Sequence, residues 1–147
     1  MYNGANKGVR SAERRMIMVN VQDFAQSLNL TILHPYSKDE LDIAMAEINR
    51  PGLEFIGYYD HFAYDRPQVM GNVEINYLDS LSQKERAACL ERFFSFPLPC
   101  IIVCRGLTPP EELMAQARLK DVPVFQSQIS TTTFIVQAIL YLARVLA

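Results

Sequence analysis

The densest group of chemically competent side chains in this 147-residue sequence lies in one segment. It contains carboxyl, imidazole, phenol and guanidinium groups, on Tyr58, Tyr59, Asp60, His61, Tyr64, Asp65 and Arg66. Such a set can serve general acid-base catalysis or bind an anion. Solvated loop side chains with local ion pairs explain the same residues, and this interpretation is favoured. A hydrolase built on Asp60, His61 and Asp65 is the least favoured alternative, because their spacing supplies neither a nucleophile nor an orienting group.

Two further groups of residues favour ligand binding over catalysis. The run Ser130-Thr131-Thr132-Thr133 precedes a predicted helix and offers hydroxyl and N–H groups to an anion, although helix capping alone explains these residues and is the favoured interpretation. A possible pocket rim lies near the ends of successive strands, where open α/β sheets bind ligands. Its residues are Gly52, Gly57, Arg66 and Gly71. The predicted ligand-binding set is Arg50, Gly52, Gly57, Tyr58, Arg66, Gly71, Ser130 and Thr131.

The cysteines and histidines do not form a metal-binding pattern. Cys100 and Cys104 lie four residues apart on a predicted strand, about 13 Å from each other and outside disulfide reach, so we interpret them as buried structural thiols. His34 and His61 have no second His or Cys at ligand spacing. We predict no metal site and no catalytic residue.

The composition excludes several other functions. The sequence has six glycines, none in a GxxxxGK[ST] or GxGxxG arrangement, so phosphoryl transfer by this chain alone is not expected. Fourteen basic against sixteen acidic residues give a net charge of -2, which argues against nucleic-acid binding. Without a signal peptide or a span long enough for a bilayer, the expected location is the cytoplasm, away from membranes.

The N-terminal half predicts short elements around these residues. Residues 1–17 lack an apolar period and are interpreted as a poorly ordered leader, which assigns the domain to residues 18–147. Asn20 is predicted to cap a helix through Leu28, and a strand is expected from Leu30 to Leu33.

The middle of the chain is the hardest part to assign. Leu41 to Ile48 predicts a helix, since Ser37 and Glu40 form a capping-box pattern before a segment rich in Ala, Met and Leu. The run from Leu53 to Tyr59 is β-prone and predicts a strand with a bulge at Gly57.

Strands and helices alternate in the rest of the chain. Cys100 to Cys104 is a continuous apolar run, typical of a strand that is covered on both faces of a parallel sheet. Around it we predict strands at Gln68 to Gly71 and Val122 to Phe125, and helices at Val73 to Leu81, Ser82 to Phe94, Pro110 to Lys120 and Ser130 to Ala147. The pattern predicts a single layered α/β domain with a mostly parallel sheet.

Several motifs resemble the N-terminal domain of bacterial HPr kinase/phosphorylase. The segment EINRPGLE (residues 47–54) followed by GYY (57–59) is similar to that family's D-I-S-R-P-G-L-E and G-Y-F, with Glu47 and Asn49 as departures. Arg66, Gln68, Gly71 and Glu74 match its R-x-Q and G-x-x-E positions, and PCIIVCRGL (residues 99–107) is similar to its P-C-I-I-V-T-R-G-L. Matches continue through Ser130-Thr131-Thr132 to Tyr141-Leu142.

The resemblance implies a fold and a setting for the chain. It implies a fold similar to the UDP-sugar-binding N-terminal domain of Mur ligases, and a strand within Asp42 to Ile48 where propensity predicts a helix. It also implies a homo-oligomeric sensor enzyme of carbon catabolite repression, which phosphorylates a serine of HPr. ATP and Mg would bind only its C-terminal P-loop domain, which is absent from this chain, so no cofactor is expected here.

Two functions therefore stand as hypotheses. The first is a regulatory and oligomerisation domain of an HPr kinase/phosphorylase. The alternative is a free-standing module that binds a small molecule such as a sugar phosphate or nucleotide sugar.

The apolar end of the last predicted helix needs cover, which favours a domain junction or dimer interface over a free C-terminus. Its residues are Tyr141, Leu142, Val145 and Leu146.

Overall fold

The computed structural model describes residues 18–37 and 41–147. The predicted leader, residues 1–17, lies outside this part of the chain. In chain order the elements are β1 (Val19–Asn20), α1 (Val21–Ser27), β2 (Thr31–His34), β3 (Asp42–Ile43), α2 (Gly52–Phe55), β4 (Gln68–Met70), α3 (Asn72–Ser80), α4 (Gln83–Phe93), β5 (Ile101–Val103), α5 (Glu111–Lys120), β6 (Val124–Gln126) and α6 (Thr131–Val145).

Side-chain caps fix where three helices begin, as the sequence predicts. Asn20 Oδ1 accepts the Gln22 N–H at 2.8 Å and starts α1. Ser82 and Glu85 form a reciprocal capping box at α4. Ser130 Oγ accepts the Thr133 N–H at 3.3 Å and starts α6. Each cap satisfies a backbone donor that has no acceptor inside its own helix.

The main sheet has four strands in the order β2-β6-β5-β4. Strands β4, β5 and β6 are parallel, whereas β2 pairs with β6 in the antiparallel sense. The prediction of an α/β domain with a mostly parallel sheet is therefore confirmed. A separate two-stranded sheet joins β1 to β3.

Strand β5 is buried on both faces because helices cover both sides of the sheet. Ile101 and Val103 face a core built with α2, α3, α4 and α5, while Ile102 faces a second core built with α1 and α6. Cys100 and Cys104 flank the strand on the Ile102 side, and both are fully buried free thiols. The continuous apolar run in the sequence thus indicated the covered strand correctly.

The predicted helix from Leu41 to Ile48 is wrong. Only Asp42–Ile43 is regular there, and it is a strand, as the family resemblance implied. Ile43 is fully buried, so tertiary packing overrides the helical propensity of the segment. Ser37, which the sequence analysis placed in a capping-box pattern, donates its hydroxyl to Asp121 Oδ2 at 2.6 Å.

The predicted strand from Leu53 to Tyr59 is also wrong. Residues Gly52–Phe55 form a short helix. Gly57, with φ of +100°, follows it, and the Gly57 and Tyr58 N–H groups donate to the Glu54 and Leu53 carbonyls. These bonds form a Schellman motif, so Gly57 supplies a left-handed residue after a helix and not a bulge in a strand.

Asn49 continues the main sheet by one residue beyond β4. The Asn49 N–H donates to the Pro67 carbonyl at 3.0 Å, and the Asn49 carbonyl accepts the Val69 N–H at 2.8 Å. This bridge is parallel to β4. From this position the Arg50 side chain reaches the carboxyl end of β4, where Nη2 lies 3.2 Å from a Cβ placed on Gly71. Within the described residues, no helix is long and apolar enough to cross a bilayer.

Candidate functional site

The carboxyl ends of the three parallel strands meet at one edge of the sheet. Gly71 follows β4, Cys104 follows β5 and Ser127 follows β6. The N-terminus of α6 comes to the same edge, because Thr131 contacts Gly71. Open α/β sheets bind ligands at this edge, so we take it as the candidate site.

A buried carboxylate organises the site. Glu74 Oε1 accepts the Gly71 N–H at 2.7 Å and Arg50 Nη2 at 2.8 Å, and Oε2 accepts Arg50 Nε at 3.0 Å. The Glu74 side chain is only 5% exposed. Burial opposes its ionisation, but the hydrogen bonds from Arg50 and Gly71 outweigh burial and hold the pKa of Glu74 below its ordinary value. The site therefore contains a paired, ionised carboxylate at neutral pH.

A second polar network supports the chain on either side of Arg50. Asn49 Nδ2 donates to Gln68 Oε1 at 2.8 Å and to Glu54 Oε1 at 3.1 Å. Gln68 is fully buried, and its amide nitrogen donates to the Ala63 and Arg66 carbonyls at 2.9 Å. These bonds satisfy the buried Gln68 amide and hold Asn49 against β4. The backbone at the next residue, Arg50, is therefore held in place.

Gly71 is a point of close approach between β4 and α6. A Cβ atom added to Gly71 would lie 2.2 Å from Thr131 Oγ1 and 3.2 Å from Arg50 Nη2. The φ of Gly71 is -125°, so the requirement for glycine is steric and does not come from backbone strain. The Thr131 hydroxyl and the Arg50 guanidinium consequently face the same point beside the glycine.

The end of β5 adds a thiol and a second cation. Burial raises the pKa of Cys104 to about 11, although the nearby Thr131 hydroxyl and the Arg50 and Arg105 cations act in the opposite direction. The thiol is thus protonated and a poor nucleophile at neutral pH. Arg105 is exposed and has a φ of +62°.

The described residues of this edge are suited to binding. The Cys104 thiol is protonated and the Glu74 carboxylate is paired with Arg50. No group of three or more His, Cys, Asp or Glu that could hold a metal occurs in the described part of the chain. The geometry offers hydrogen-bond donors and positive charge at a sheet edge.

The structure brings together half of the predicted ligand-binding residues. Arg50, Gly71, Ser130 and Thr131 share the carboxyl edge, and Gly52 follows close behind Arg50.

The other predicted residues lie elsewhere. Arg66 is at the opposite end of β4 from Gly71, where it pairs with Glu47 at 3.1 Å. Gly57 and the exposed Tyr58 lie beyond the C-terminal end of α2. The proposed rim of Gly52, Gly57, Arg66 and Gly71 is therefore not one rim.

Sequence reasoning missed the residue that organises the site. Glu74 was part of the family match, but it was not selected as a site residue. The signal available was its position three residues after Gly71, at the start of a predicted helix, where a carboxylate accepts the N–H of the capping residue. Cys104 and Arg105 also belong to the edge, whereas the sequence analysis interprets Cys104 as a structural thiol and does not select Arg105.

The loop from Tyr58 to Arg66 is largely a packing element. The Tyr59 ring stacks on Phe96 with the ring centroids 5.2 Å apart, and the Arg92 guanidinium carbon lies 4.3 Å from the centroid of the Tyr59 ring. Phe62 is buried beside them. Burial, followed by the neighbouring Cys89, raises the pKa of Tyr59 to about 12. Asp60, His61 and Asp65 are exposed, and within the described residues no hydrogen bond joins them. The geometry gives no support to a hydrolase.

Helix α6 carries a second feature of interest on its outer face. Its inner face is buried through Phe134, Ala138 and Leu142. Residues 131–143 contain no charged side chain. Large apolar side chains are exposed along the outer face, with relative exposures of 52% for Val136, 37% for Ile139 and 65% for Leu140. These three residues define the apolar face of α6.

Comparisons with known proteins give a consistent family. A family model described as HPr serine kinase N terminus matches residues 19–142. The HPr kinase/phosphorylases of Caldanaerobacter subterraneus subsp. tengcongensis and Alkaliphilus metalliredigens are 36% and 37% identical to this chain over 132 residues. Both alignments cover 90% of this chain and 43% of the relative, so the chain spans less than half the length of these curated relatives.

A solved structure supports the fold. The CBS and DRTGG domains of the regulatory region of Clostridium perfringens pyrophosphatase match with a TM-score of 0.52 and 14% identity. The match covers 85% of this chain and 49% of the other.

Replacement of Gly71 by alanine tests the close approach at the sheet edge. We expect Gly71→Ala to lower the free energy of unfolding by about 2 kcal/mol, because the new methyl group overlaps the Thr131 hydroxyl. Gly52→Ala is the matched control, since a Cβ there meets nothing within 4 Å, and its effect should stay within about 0.5 kcal/mol. Urea denaturation measures both. Equal effects of the two substitutions would contradict the close approach.

Proposed function

Because the chain belongs to the HPr serine kinase N-terminal family, we propose that it serves as a regulatory and assembly domain of an HPr kinase/phosphorylase. It does not itself transfer phosphate. In this proposal the domain forms part of a homo-oligomeric cytoplasmic enzyme that acts on a serine of HPr in carbon catabolite repression. ATP, Mg and HPr contact the kinase part of that enzyme.

The chemistry of the candidate site supports a non-catalytic role. A kinase holds nucleotide phosphates with a glycine-rich backbone loop or an equivalent set of donors next to a metal ion and a base. The 147 residues contain no such glycine-rich motif, and at the sheet edge the Glu74 carboxylate is buried and bound to Arg50. A carboxylate in this state cannot hold a metal or accept a substrate proton.

The apolar face of α6 is the observation that carries the assembly role. A helix that is apolar on all sides is normally buried on all sides. In this chain one side of α6 packs on the sheet, while Val136, Ile139 and Leu140 on the other side remain exposed. Their i, i+3 and i+4 spacing places them next to one another, so a second copy of the chain could cover all three at once. We assign homo-oligomer contacts to this face.

A free-standing small-ligand module is the second candidate function. The observation in its favour is the polar carboxyl edge, where Arg50, Gly71 and Thr131 converge. A sugar phosphate or nucleotide sugar would suit such an edge. A fold similar to the UDP-sugar-binding domain of Mur ligases, which the family resemblance implies, would favour this candidate by analogy alone.

A phosphotransfer assay tests the absence of catalysis. Purified chain incubated with ATP, Mg and HPr should yield no phosphoserine, because the chain has no phosphate-binding loop. A full-length HPr kinase/phosphorylase from one of the relatives serves as the positive control, read out by mass spectrometry of HPr. Formation of phosphoserine by this chain above the level of an enzyme-free sample would overturn the proposal.

Sedimentation velocity with charged variants tests the assembly face. We expect the chain to be oligomeric and Leu140→Glu to dissociate it, because a carboxylate cannot be buried unpaired in an apolar contact. Leu119→Glu is the matched control, since Leu119 is 73% exposed on α5 and its variant should keep the oligomer. Circular dichroism confirms that both variants fold. A monomeric wild-type chain, or an unaltered Leu140→Glu oligomer, would contradict the assignment.

A further inference from the structure

We propose that a groove between α2, α3 and α4 binds a free amino acid with an apolar side chain. The ammonium group binds the Glu54 carboxylate, and the carboxylate binds the Arg92 guanidinium and the Tyr59 hydroxyl. The side chain of the ligand covers the apolar lining of the groove. None of the lining residues belongs to the carboxyl edge or to the apolar face of α6. The site therefore goes beyond the regulatory and assembly role and does not depend on it.

The groove has a size and a lining that suit a small apolar body. Its volume is about 390 Å³, and ligand pockets typically have volumes of about 300–1,000 Å³. Packing holds the lining in place: the Phe55 ring meets Phe93 edge-on with the centroids 5.1 Å apart, and the Cys89 thiol donates to the Phe55 carbonyl at 3.5 Å. The apolar lining consists of Phe55, Tyr77, Leu81 and Cys89.

Glu54 is a buried carboxylate without a cationic partner among the described residues. It lines the groove, is only 7% exposed, and accepts one hydrogen bond, from Asn49 Nδ2 to Oε1 at 3.1 Å. Glu74 is buried to a similar degree, but Arg50 pairs with it. A buried carboxylate is normally paired, because its lost hydration is otherwise uncompensated. A cation that enters the groove would give Glu54 the partner that Glu74 already has.

The Tyr59 hydroxyl is a second unsatisfied group at this groove. Its oxygen is buried and has no hydrogen-bond partner in the described part of the chain, a state that native structures seldom leave unexplained. After burial, the charges that affect its pKa are those of Cys89, Arg92 and Glu54, and all three residues line the groove. Since that pKa is about 12, the hydroxyl is protonated and can donate. The family motif G-Y-F has phenylalanine at this position, so the fold does not require the hydroxyl.

Arg92 adds a positive charge to the same groove. The side chain is exposed, and Nη1 lies 3.9 Å from a Cβ placed on Gly57. Within the described residues Arg92 forms no ion pair, so Glu54 is more than 4.0 Å away from it. Arg86 on the same helix differs, because it pairs with Glu112 at 2.7 Å. The groove thus contains two opposite charges that do not neutralise each other by contact.

The two charges select a zwitterion. An α-amino acid has an ammonium group, a carboxylate and a side chain on one carbon atom, and guanidinium–carboxylate and ammonium–carboxylate bonds are among the strong hydrogen bonds. An amine alone would leave Arg92 unpaired, and a carboxylic acid alone would leave Glu54 unpaired. Glu85 also lines the groove, but it is exposed and its Oε1 accepts the Ser82 N–H at 3.1 Å in the capping box of α4.

Calorimetric titration of the chain tests the ligand class. L-leucine and L-phenylalanine are compared with the amines that lack the carboxylate, isoamylamine and phenethylamine, and with the acids that lack the ammonium group, isocaproate and hydrocinnamate. Each set has one apolar body and differs only in its charged groups. We expect saturable binding of at least one amino acid, with its amine and its acid at least about tenfold weaker, because each analogue leaves one charged residue unpaired.

Substitutions separate a ligand role of these side chains from a structural one. Tyr59→Phe removes only the hydroxyl, so we expect weaker binding by several-fold at an equal or higher melting temperature without ligand. Glu54→Gln keeps an acceptor for Asn49 and Arg92→Gln changes an exposed residue, so both should fold and bind about tenfold more weakly. Lys84→Gln is the matched control, since Lys84 is exposed on α4 outside the groove and its variant should bind like the wild type.

Three results would overturn the site. They are an absence of saturable binding of both amino acids, an amine or acid that binds as tightly as its amino acid, and wild-type affinity in Glu54→Gln or Arg92→Gln. In the first case, a double-mutant cycle in urea that couples Glu54 to Arg92 would show that the two residues pair with each other instead. None of these results bears on the oligomer contacts of α6 or on phosphotransfer, which sedimentation and mass spectrometry test separately.

Discussion

The ionised carboxylate of Glu74 is the constraint on which the sheet edge depends. A buried charge is tolerated only when it is paired and hydrogen-bonded, because its loss of hydration is otherwise too costly. Glu74 meets this requirement with the Arg50 guanidinium and the Gly71 N–H. The same bonds fix the start of α3, the position of Gly71 and the direction of Arg50. Removal of one partner from such a pair typically costs about 3–5 kcal/mol.

The remaining geometry of the edge follows from this arrangement. With Gly71 fixed at the end of β4, α6 approaches so closely that Thr131 occupies the space of a Cβ atom. Asn49 bridges to β4 and delivers Arg50 to the same place. Several residues that carry the family resemblance lie in these networks, including Arg50, Gln68 and Glu74. Their shared role in this chain is to build an ordered polar edge that presents donors to solvent.

Most elements of the fold could be predicted from the sequence where local and tertiary preferences agree. The capped helices and the covered strand at Cys100 to Cys104 are of this kind, because cap chemistry and apolar periodicity are local signals. The prediction failed where tertiary contacts decide. Ile43 is drawn into a strand by burial, and the β-prone run after Gly52 closes into a short helix through a Schellman motif at Gly57.

The candidate site could be predicted only in part, for the same reason. Sequence reasoning selected Arg50, Gly71 and Thr131, which the fold does bring together, but it placed Arg66 with them at the wrong end of β4. The decisive bond between Arg50 and Glu74 joins residues 24 positions apart, and spacing alone does not reveal it. The most direct test is the free energy of unfolding of the wild-type chain and Glu74→Gln across acidic to neutral pH. The folded chain holds the pKa of Glu74 below its ordinary value of 4.5, so its ionisation stabilises the fold above that value and the gain is lost as pH falls through the folded pKa. We predict a large stability difference between the two proteins at neutral pH that shrinks below about pH 4.5. A difference that is absent, or constant with pH, would contradict the central role of Glu74.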